Sequence, residues 1–360
     1  MKKKLKNIIF TGGGSGGHVI PGLSIIAELK RRDSNYNFIY IGGKKSIESQ
    51  IVPSKVNLYL PISTGKLRRY LSVENFKDMF RIFKGLFDSL GILIKYSSKE
   101  TVIFSTGGFV SVPVVIASWL TRKQVFIHEQ TTRMGLANKI CSYFAKKVFV
   151  SFEESLQFVS HNAIYSGYPV RSECFDSTIR HQKFGHFDLT NLDAPLLFIT
   201  GGGNGSKLVN DKVKGELDNL KKDFVIIHQV GKDFEEEYRK FNDERYYASA
   251  FVGEEMIDLF KSAKVVLSRA GAGTVCELMA LKKASIYVPL KIAQKNEQYH
   301  NAMAANRACG SIVLTEDEFK TCDLVSVIRD FSQVNSGDKG FEGVKDGLSF
   351  LADQIEQAIQ

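Results

Sequence analysis

The residues best suited to chemistry lie in four glycine-rich segments, each placed where an apolar run gives way to a helix-like segment. These are residues 12–17, 107–108, 201–205 and 271–273. Glycine lets main-chain N–H groups approach an anion closely, and at a helix N-terminus the helix dipole adds partial positive charge. The sequence therefore predicts that several turns bind phosphate groups.

Two classes of protein that bind phosphate with a single glycine-rich turn fit this pattern poorly. A P-loop requires Gly-Lys-Ser/Thr, whereas the third segment ends in Gly205-Ser206-Lys207. A dinucleotide enzyme needs one such turn, so the second and fourth segments disfavour a dehydrogenase. Asp33 lies about twenty residues after the first turn, where a dinucleotide enzyme has the acidic residue that binds the ribose, so this alternative stays open.

Charged residues flank the fourth segment. Arg269 precedes it and can add positive charge beside a diphosphate. Glu277 lies one turn into the following helix, where its carboxylate can accept hydrogen bonds from a ribose diol. The alternative for Glu277 is a solvated helix residue with no role in binding.

Short β-branched and aromatic runs alternate with helix-length segments and must position these turns. Predicted strands cover residues 7–11, 38–42, 102–105 and 125–128, then 196–200, 224–228, 265–268 and 286–288, and the first helix is predicted to open near Pro21. Such alternation gives parallel sheets whose ligands bind beyond the carboxyl ends of the strands. We expect two doubly wound α/β domains, residues 1–166 and 167–343, with a linker near residues 172–194 and a site between the domains.

Composition is that of a globular protein with two domains. The 360 residues are 44% hydrophobic and 24% charged, and the net charge of +9 favours an anionic partner. The longest apolar stretch, residues 110–120, is too short to span a bilayer, and the basic N-terminus precedes no signal-peptide core. Five scattered cysteines indicate neither a disulfide framework nor a zinc site.

Taken in order, these segments resemble the GT-B glycosyltransferases, and within them the family-28 type of cell-wall enzyme. The matching motifs run from Gly12 to Pro21, from Gly107 to Pro113, through His128-Glu129-Gln130 and Gly135-Leu136-Ala137-Asn138, through Gly167-Tyr168-Pro169-Val170-Arg171, from Gly201 to Ser206, from Arg269 to Glu277, and through Gln298-x-x-Asn301. The resemblance spans nearly the whole chain. It implies a GT-B fold of two Rossmann-like domains facing across a cleft.

The resemblance also implies a reaction: inverting transfer of N-acetylglucosamine from UDP-N-acetylglucosamine to lipid I, the undecaprenyl-pyrophosphoryl-N-acetylmuramoyl-pentapeptide. The product would be lipid II for peptidoglycan synthesis, and hence for cell shape and division. The donor would bind mainly in the C-terminal half and the acceptor in the N-terminal half. A last helix, residues 344–360, would pack back on the first domain.

Site residues follow from the matching motifs. Donor binding is assigned to Ser15, Gly16, Gly17, Arg171, Gly202, Gly203, Asn204, Val252, Met256, Arg269, Gly271, Ala272, Thr274, Glu277, Gln298 and Asn301. Acceptor binding is assigned to Gly14, Gly107, Gly108, Phe109 and Asn138.

Two residues are candidates for the catalytic base. An imidazole suits proton removal from an attacking hydroxyl, which favours His18, with helix capping or phosphate binding as its alternative. Glu129 is the second candidate, because the family's His-Glu-Gln motif faces the acceptor, and a structural carboxylate is its alternative.

No tightly bound cofactor and no metal site are expected, because no Asp-x-Asp motif is visible. Main-chain donors would stabilise the leaving UDP, and Mg²⁺ would stimulate only by pairing with the diphosphate in solution. Three positions depart from the family pattern: Gly203 replaces a common Ser, Thr131 an Asn, and Tyr168 an Asn. The latter two put acceptor contacts in doubt.

A membrane-facing stretch is expected in residues 75–96. Phe76, Met79, Phe80, Phe83, Leu86, Phe87, Leu90 and Leu93 recur at helical spacing, with Ile82, Ile92 and Ile94 beside them. Nearby basic residues are Lys66, Arg68, Arg69, Lys77, Arg81, Lys84, Lys95 and Lys99, against the acids Glu74, Asp78, Asp88 and Glu100. This pattern suits anionic headgroups, and an ordinary core helix is the alternative.

Together, these features predict a peripheral enzyme on the cytoplasmic face of the inner membrane, with no nucleic-acid partner. Two alternatives stay open. One is a GT-B UDP-sugar transferase acting on a different lipid or natural product, and the other is a non-catalytic subunit that binds nucleotide sugars.

Overall fold

The computed structural model describes residues 6–32, 35–65, 73–159, 162–292, 296–333 and 345–359, and in the helix Val73–Leu93 it describes side chains from Phe80 onward. The chain divides into two units. The first comprises Met1–Val170 and Lys345–Gln360, and the second comprises Arg171–Val344. The expected boundary at residue 166 lies slightly earlier, because the Gly167 backbone lies against Lys345 within the first unit.

The first unit is built on a seven-stranded parallel sheet with strand order β3-β2-β1-β4-β5-β6-β7. Its strands are β1 (Lys6–Thr11), β2 (Tyr36–Gly43), β3 (Leu58–Ile62), β4 (Thr101–Ser105), β5 (Gln124–Glu129), β6 (Lys147–Val150) and β7 (Ala163–Tyr165). Its helices are α1 (Gly16–Arg32), α2 (Ile47–Ile51), α3 (Val73–Leu93), α4 (Ser111–Leu120) and α5 (Leu136–Ser142). Ile9 pairs with Ile39 on one side and Ile103 on the other, so β1 is central and buried.

The second unit repeats this plan with six parallel strands in the order β12-β11-β10-β13-β14-β15. After a hairpin of β8 (Lys183–Phe184) and β9 (Phe187–Asp188), the strands are β10 (Leu196–Thr200), β11 (Val225–Gln229), β12 (Tyr246–Ser249), β13 (Val265–Ser268), β14 (Ile286–Tyr287) and β15 (Ile312–Val313). The helices are α6 (Lys207–Gly215), α7 (Leu217–Leu220), α8 (Glu235–Arg239), α9 (Met256–Ser262), α10 (Ala272–Ala280), α11 (Glu297–Cys309), α12 (Glu316–Thr321) and α13 (Leu324–Gln333). The predicted doubly wound α/β class is confirmed.

Two local predictions are wrong. Residues 172–194 are not a linker, because they carry the β8–β9 hairpin and because the Asp258 carboxylate accepts the N–H groups of Arg180 and His181 within the second unit. Helix α1 starts at Gly16 instead of near Pro21. Pro21 lies in the second turn of this helix, where it removes one main-chain hydrogen bond.

The chain returns to the first unit through α14 (Gly347–Ile359). Leu348, Leu351 and Ile355 join the buried cluster that contains Phe10 and Phe104. Arg32, at the end of α1, forms ion pairs with Asp353 and Glu356 of α14. No helix in the described ranges is both long enough and apolar enough to cross a bilayer.

Removing the buried Leu351 side chain tests this packing. Because Leu351 is fully buried, we expect Leu351→Ala to lower the free energy of unfolding by about 2–5 kcal/mol through lost burial and a residual cavity. Chemical denaturation measures this, and Gln357→Ala, exposed on the same helix, serves as the control. Equal stability of the two variants would contradict the packing of α14.

Candidate functional site

In the first unit, a buried carboxylate binds the turn that follows β1. Glu48 on α2 is fully buried, and it accepts the N–H of Gly14 at 3.1 Å and the N–H of Gly43 at 3.0 Å. Burial and the Glu48 charge both raise the pKa of Tyr40, whose hydroxyl donates to Gly12 O at 2.8 Å. The Gly14 N–H, predicted to contact the acceptor, is therefore satisfied by the protein itself.

The turn after β4 lies directly against this first turn. Gly13 N–H donates to Gly107 O at 3.2 Å, and the Phe109 ring lies over Gly14. A Cβ at Gly108 would stand 2.1 Å from Gly13 O, and φ at this residue is +82°, so only glycine fits there. The predicted acceptor residues Gly14, Gly107, Gly108 and Phe109 are thus brought together.

His18 lies beside these turns, near the start of α1, where it is half-buried. Its Nδ1 is 3.1 Å from Thr106 O and 3.2 Å from Gln130 Oε1. Its Cδ2 packs near Gly108. Of the predicted donor residues in this unit, Ser15 and Gly17 are exposed and Gly16 is half-buried where α1 begins.

The Glu129 carboxylate is buried and forms its hydrogen bonds close by in the chain. Its carboxylate is 2% exposed and accepts four hydrogen bonds: from Thr131 N at 3.1 Å, Thr131 Oγ1 at 2.8 Å, Gly135 N at 3.0 Å and Asn138 Nδ2 at 3.0 Å. These bonds engage both carboxylate oxygens within the turn and favour the structural alternative for Glu129, and its role as a base stays a prediction.

Asn138 is likewise buried, and its amide also donates to His128 O at 3.2 Å. The side chain lies beneath Gly107, and the assignment of Asn138 to the acceptor site stays a prediction. Thr131, the departure from the family's Asn, supplies two of the donors to Glu129. Tyr168, the other departure on this side, is buried with its ring edge-on to His128.

In the second unit, the turn after β10 presents Gly202, Gly203 and Asn204 toward solvent. Thr200 Oγ1 accepts the Gly202 N–H at 3.0 Å and Gly202 O accepts the Gly205 N–H at 3.0 Å. A Cβ at Gly203 would meet no atom within 4 Å. The absence of the family's serine at this position therefore leaves the turn intact.

The Arg269 side chain bonds to this turn and to two other parts of the second unit. Its Nε donates to Ser206 Oγ at 2.9 Å, and its Nη1 donates to Val288 O at 3.0 Å and pairs with Glu316 at 2.8 Å. The side chain is only 10% exposed. Arg269 is thus paired with Glu316 within the protein, and its contact with a diphosphate stays a prediction.

Glu277 stands one turn into α10, whose N-terminus carries Gly271, Ala272 and Thr274, all partly exposed. Arg171 Nε donates to Glu277 Oε1 at 2.9 Å. Although burial opposes the charged guanidinium, the Glu277 charge raises the pKa of Arg171. This ion pair brings together Arg171 and Glu277, two of the predicted donor residues, and orients the carboxylate.

The remaining predicted donor residues differ in burial and in their hydrogen-bond partners. Gln298 Oε1 accepts the Leu290 N–H at 3.0 Å, whereas Asn301 is buried and donates to Ala270 O at 3.3 Å. Asn301 therefore supports the turn before α10, and its assignment to the sugar hydroxyls stays a prediction. Val252 is buried, and Met256 opens α9.

Sequence reasoning missed Glu48 and Glu316. Glu48 binds Gly14, 34 residues away in the chain, and Glu316 binds Arg269, so no local motif indicates either contact. No cluster of three His, Cys, Asp or Glu side chains that could hold a metal occurs in the described residues.

Two doubly wound units, with glycine turns at the carboxyl ends of their central strands, define a GT-B type transferase fold. Residues 8–150 match the Glycosyltransferase family 28 N-terminal domain, and residues 196–339 match the Glycosyltransferase family 28 C-terminal domain. The chain belongs to glycosyltransferase family 28, which confirms the resemblance inferred from the motifs.

Relatives agree with this assignment. The chain is 40% identical, over 92% of its length and 91% of the relative's, to a Clostridium perfringens protein, and 39% identical, over 89% of both, to one from Clostridium botulinum. Both are named UDP-N-acetylglucosamine--N-acetylmuramyl-(pentapeptide) pyrophosphoryl-undecaprenol N-acetylglucosamine transferase. The crystal structure of Acinetobacter baumannii MurG has a TM-score of 0.70 at 21% identity, covering 98% of this chain and 99% of that one, so it shows the shared fold.

The environment of Glu129 generates a prediction that separates a structural from a catalytic carboxylate. Glu129→Gln turns an amide toward N–H donors, so we expect a loss of about 1–3 kcal/mol in unfolding free energy and less than about a tenfold loss of turnover. Thermal unfolding and initial rates measure both quantities, with exposed Glu153→Gln as the control. Unchanged Tm with turnover abolished would instead identify Glu129 as the base.

Proposed function

We propose that this protein transfers N-acetylglucosamine from UDP-N-acetylglucosamine to lipid I, forming lipid II. The observation that carries the proposal is the identity of about 40% over nine-tenths of both chains to relatives named for this reaction. The placement of His18 beside the glycine turns and of Glu277 beside Arg171 supports it. In a cell this reaction would serve peptidoglycan synthesis, and through it cell shape and division.

In the proposed mechanism, His18 removes the proton from the acceptor hydroxyl. The hydroxyl oxygen forms the new bond to the anomeric carbon, while the bond from that carbon to the UDP oxygen breaks with inversion. General-base catalysis of this kind contributes about 10²–10⁴-fold to the rate. Thr106 O and Gln130 Oε1 hold Nδ1 of the ring, so that Nε2 is the nitrogen that receives the proton.

Negative charge develops on the leaving UDP. Main-chain N–H groups at the N-terminus of α10, around Gly271, Ala272 and Thr274, would stabilise that charge with the help of the helix dipole. Glu277 would accept hydrogen bonds from the ribose. In this proposal Mg²⁺ acts only as a counterion of the diphosphate in solution.

We also propose that helix α3 binds the cytoplasmic face of the inner membrane. Phe80, Phe83 and Phe87 share one helical face, and they are 74%, 56% and 69% exposed; Ile94, just past the helix end, is 72% exposed. On the adjoining side of the helix, Leu93 is buried in the core, and the partly buried Leu86 and Leu90 pack against it. The sequence stripe therefore contains both an interior face and an exposed one.

Arg81 and Lys84 on this helix, and Lys95 and Lys99 just after it, are exposed. Each basic residue near an anionic surface contributes about 1 kcal/mol. The residues Lys66, Arg68, Arg69, Glu74, Phe76, Lys77, Asp78 and Met79, which belonged to the same prediction, lie outside the described side chains. The exposed face alone supports peripheral attachment.

The reaction is tested by incubating the protein with UDP-N-acetylglucosamine and a lipid I analogue. We expect product from the parent, a loss of about 10²-fold or more in kcat for His18→Ala with unchanged UDP affinity, and about tenfold or weaker UDP binding for Glu277→Ala. Exposed Glu236→Ala is the matched control for Glu277.

Product only with a different lipid or natural-product acceptor would indicate another UDP-sugar transferase. UDP binding without turnover on any acceptor would indicate a non-catalytic subunit. Unchanged UDP affinity of Glu277→Ala would contradict the donor site.

Vesicle binding tests the membrane face. We expect Phe83→Ser combined with Phe87→Ser to weaken binding to phosphatidylglycerol vesicles by at least about tenfold, with an unchanged Tm, because both rings are exposed. Phe175→Ser, exposed in the second unit, should bind like the parent. Equal sedimentation of all three proteins with vesicles would exclude α3 as the attachment face.

A further inference from the structure

A chain of buried hydrogen bonds leads from His18 into the interior of the first unit. The Gln130 amide, 1% exposed, places Oε1 3.2 Å from His18 Nδ1. Its Nε2 donates to His128 O at 3.0 Å and lies 3.3 Å from His128 Nδ1. His128 Nε2 in turn lies 3.3 Å from Gly167 O and 3.1 Å from Ser151 Oγ.

The proton positions along this chain follow from the groups that can only accept. Gly167 O cannot donate, so His128 Nε2 carries the proton and His128 Nδ1 accepts. Burial lowers the pKa of His128 to about 4, so this ring is neutral near pH 7. Gln130 must then turn its NH₂ group toward His128, a direction also required by His128 O.

The proton position on the His18 ring follows from the same hydrogen bonds. With its NH₂ group committed to His128, Gln130 offers only an oxygen to His18, and Thr106 O is a second group that only accepts. Both therefore require a proton on Nδ1 of His18. The lone pair of the neutral ring is then confined to Nε2.

We propose that Gln130, oriented by His128, is a positioning residue that fixes the tautomer of His18 so that Nε2 is the basic nitrogen. This inference rests on the proposed role of His18 in sugar transfer. A neutral amide orients the imidazole without adding a charge beside it. The titratable groups on the neighbouring elements are Glu48 on α2 and His128 and Glu129 on β5, and both carboxylates are bonded to main-chain N–H groups.

The tautomer is measured by ¹⁵N–¹H correlation spectra of the histidine rings in the full chain, with His18 identified by comparison with His18→Ala. We expect the neutral parent ring to show a protonated Nδ1 and an unprotonated Nε2. Gln130→Met keeps the side-chain length but removes the acceptor. We expect this variant to give a mixture of tautomers and about a tenfold lower kcat, with the KM for UDP-N-acetylglucosamine unchanged.

Gln124→Met is the matched control, because Gln124 lies on the same strand and its Oε1 accepts a hydrogen bond from Lys146. It should retain the parent tautomer and kcat. A parent ring protonated at Nε2, or a Gln130→Met ring identical to the parent ring, would overturn the proposal. The parent spectrum decides this even if Gln130→Met does not fold. Absence of any lipid II product would count against the reaction and leave the spectral test intact.

Discussion

Main-chain N–H groups at the carboxyl ends of parallel strands impose the constraint on which this structure depends. Where a strand turns into a helix, the first amides have no partner within the helix and must bind something else. In the first unit the partners are the protein's own carboxylates. Glu48 serves Gly14 and Gly43, and Glu129 serves the turn after β5. These turns are thereby fixed in position before any ligand arrives.

In the second unit, side-chain hydroxyls accept some of these N–H groups: Thr200 Oγ1 accepts the Gly202 N–H and Ser206 Oγ accepts the Val209 N–H. Thr200 and Ser206 hold the turn after β10, and Arg269 connects that turn to Glu316. Glu277, inside α10, is bound to Arg171. The helix dipole makes the N-terminal end of α10 favourable for an anion, which is why we propose that it binds the diphosphate.

Most of the fold was predictable because buried parallel strands are nearly continuous apolar runs, and each of the eight predicted strands is present within two residues of its expected bounds. Strands such as β7 and β15 were missed because they are two or three residues long and only partly buried. Motifs located the turns correctly, but they could not show which way a side chain points. Glu129, Asn138, Asn301 and Arg269 have polar partners that lie within the protein, and Glu48 acts across a separation of 34 residues.

The most direct test is a crystal structure of the protein with UDP-N-acetylglucosamine. The account predicts the diphosphate within hydrogen-bond distance of the main-chain N–H groups around Gly271 and Thr274, with the ribose hydroxyls on Glu277. A nucleotide bound only at residues 12–17, with Glu277 making no contact to it, would contradict the account.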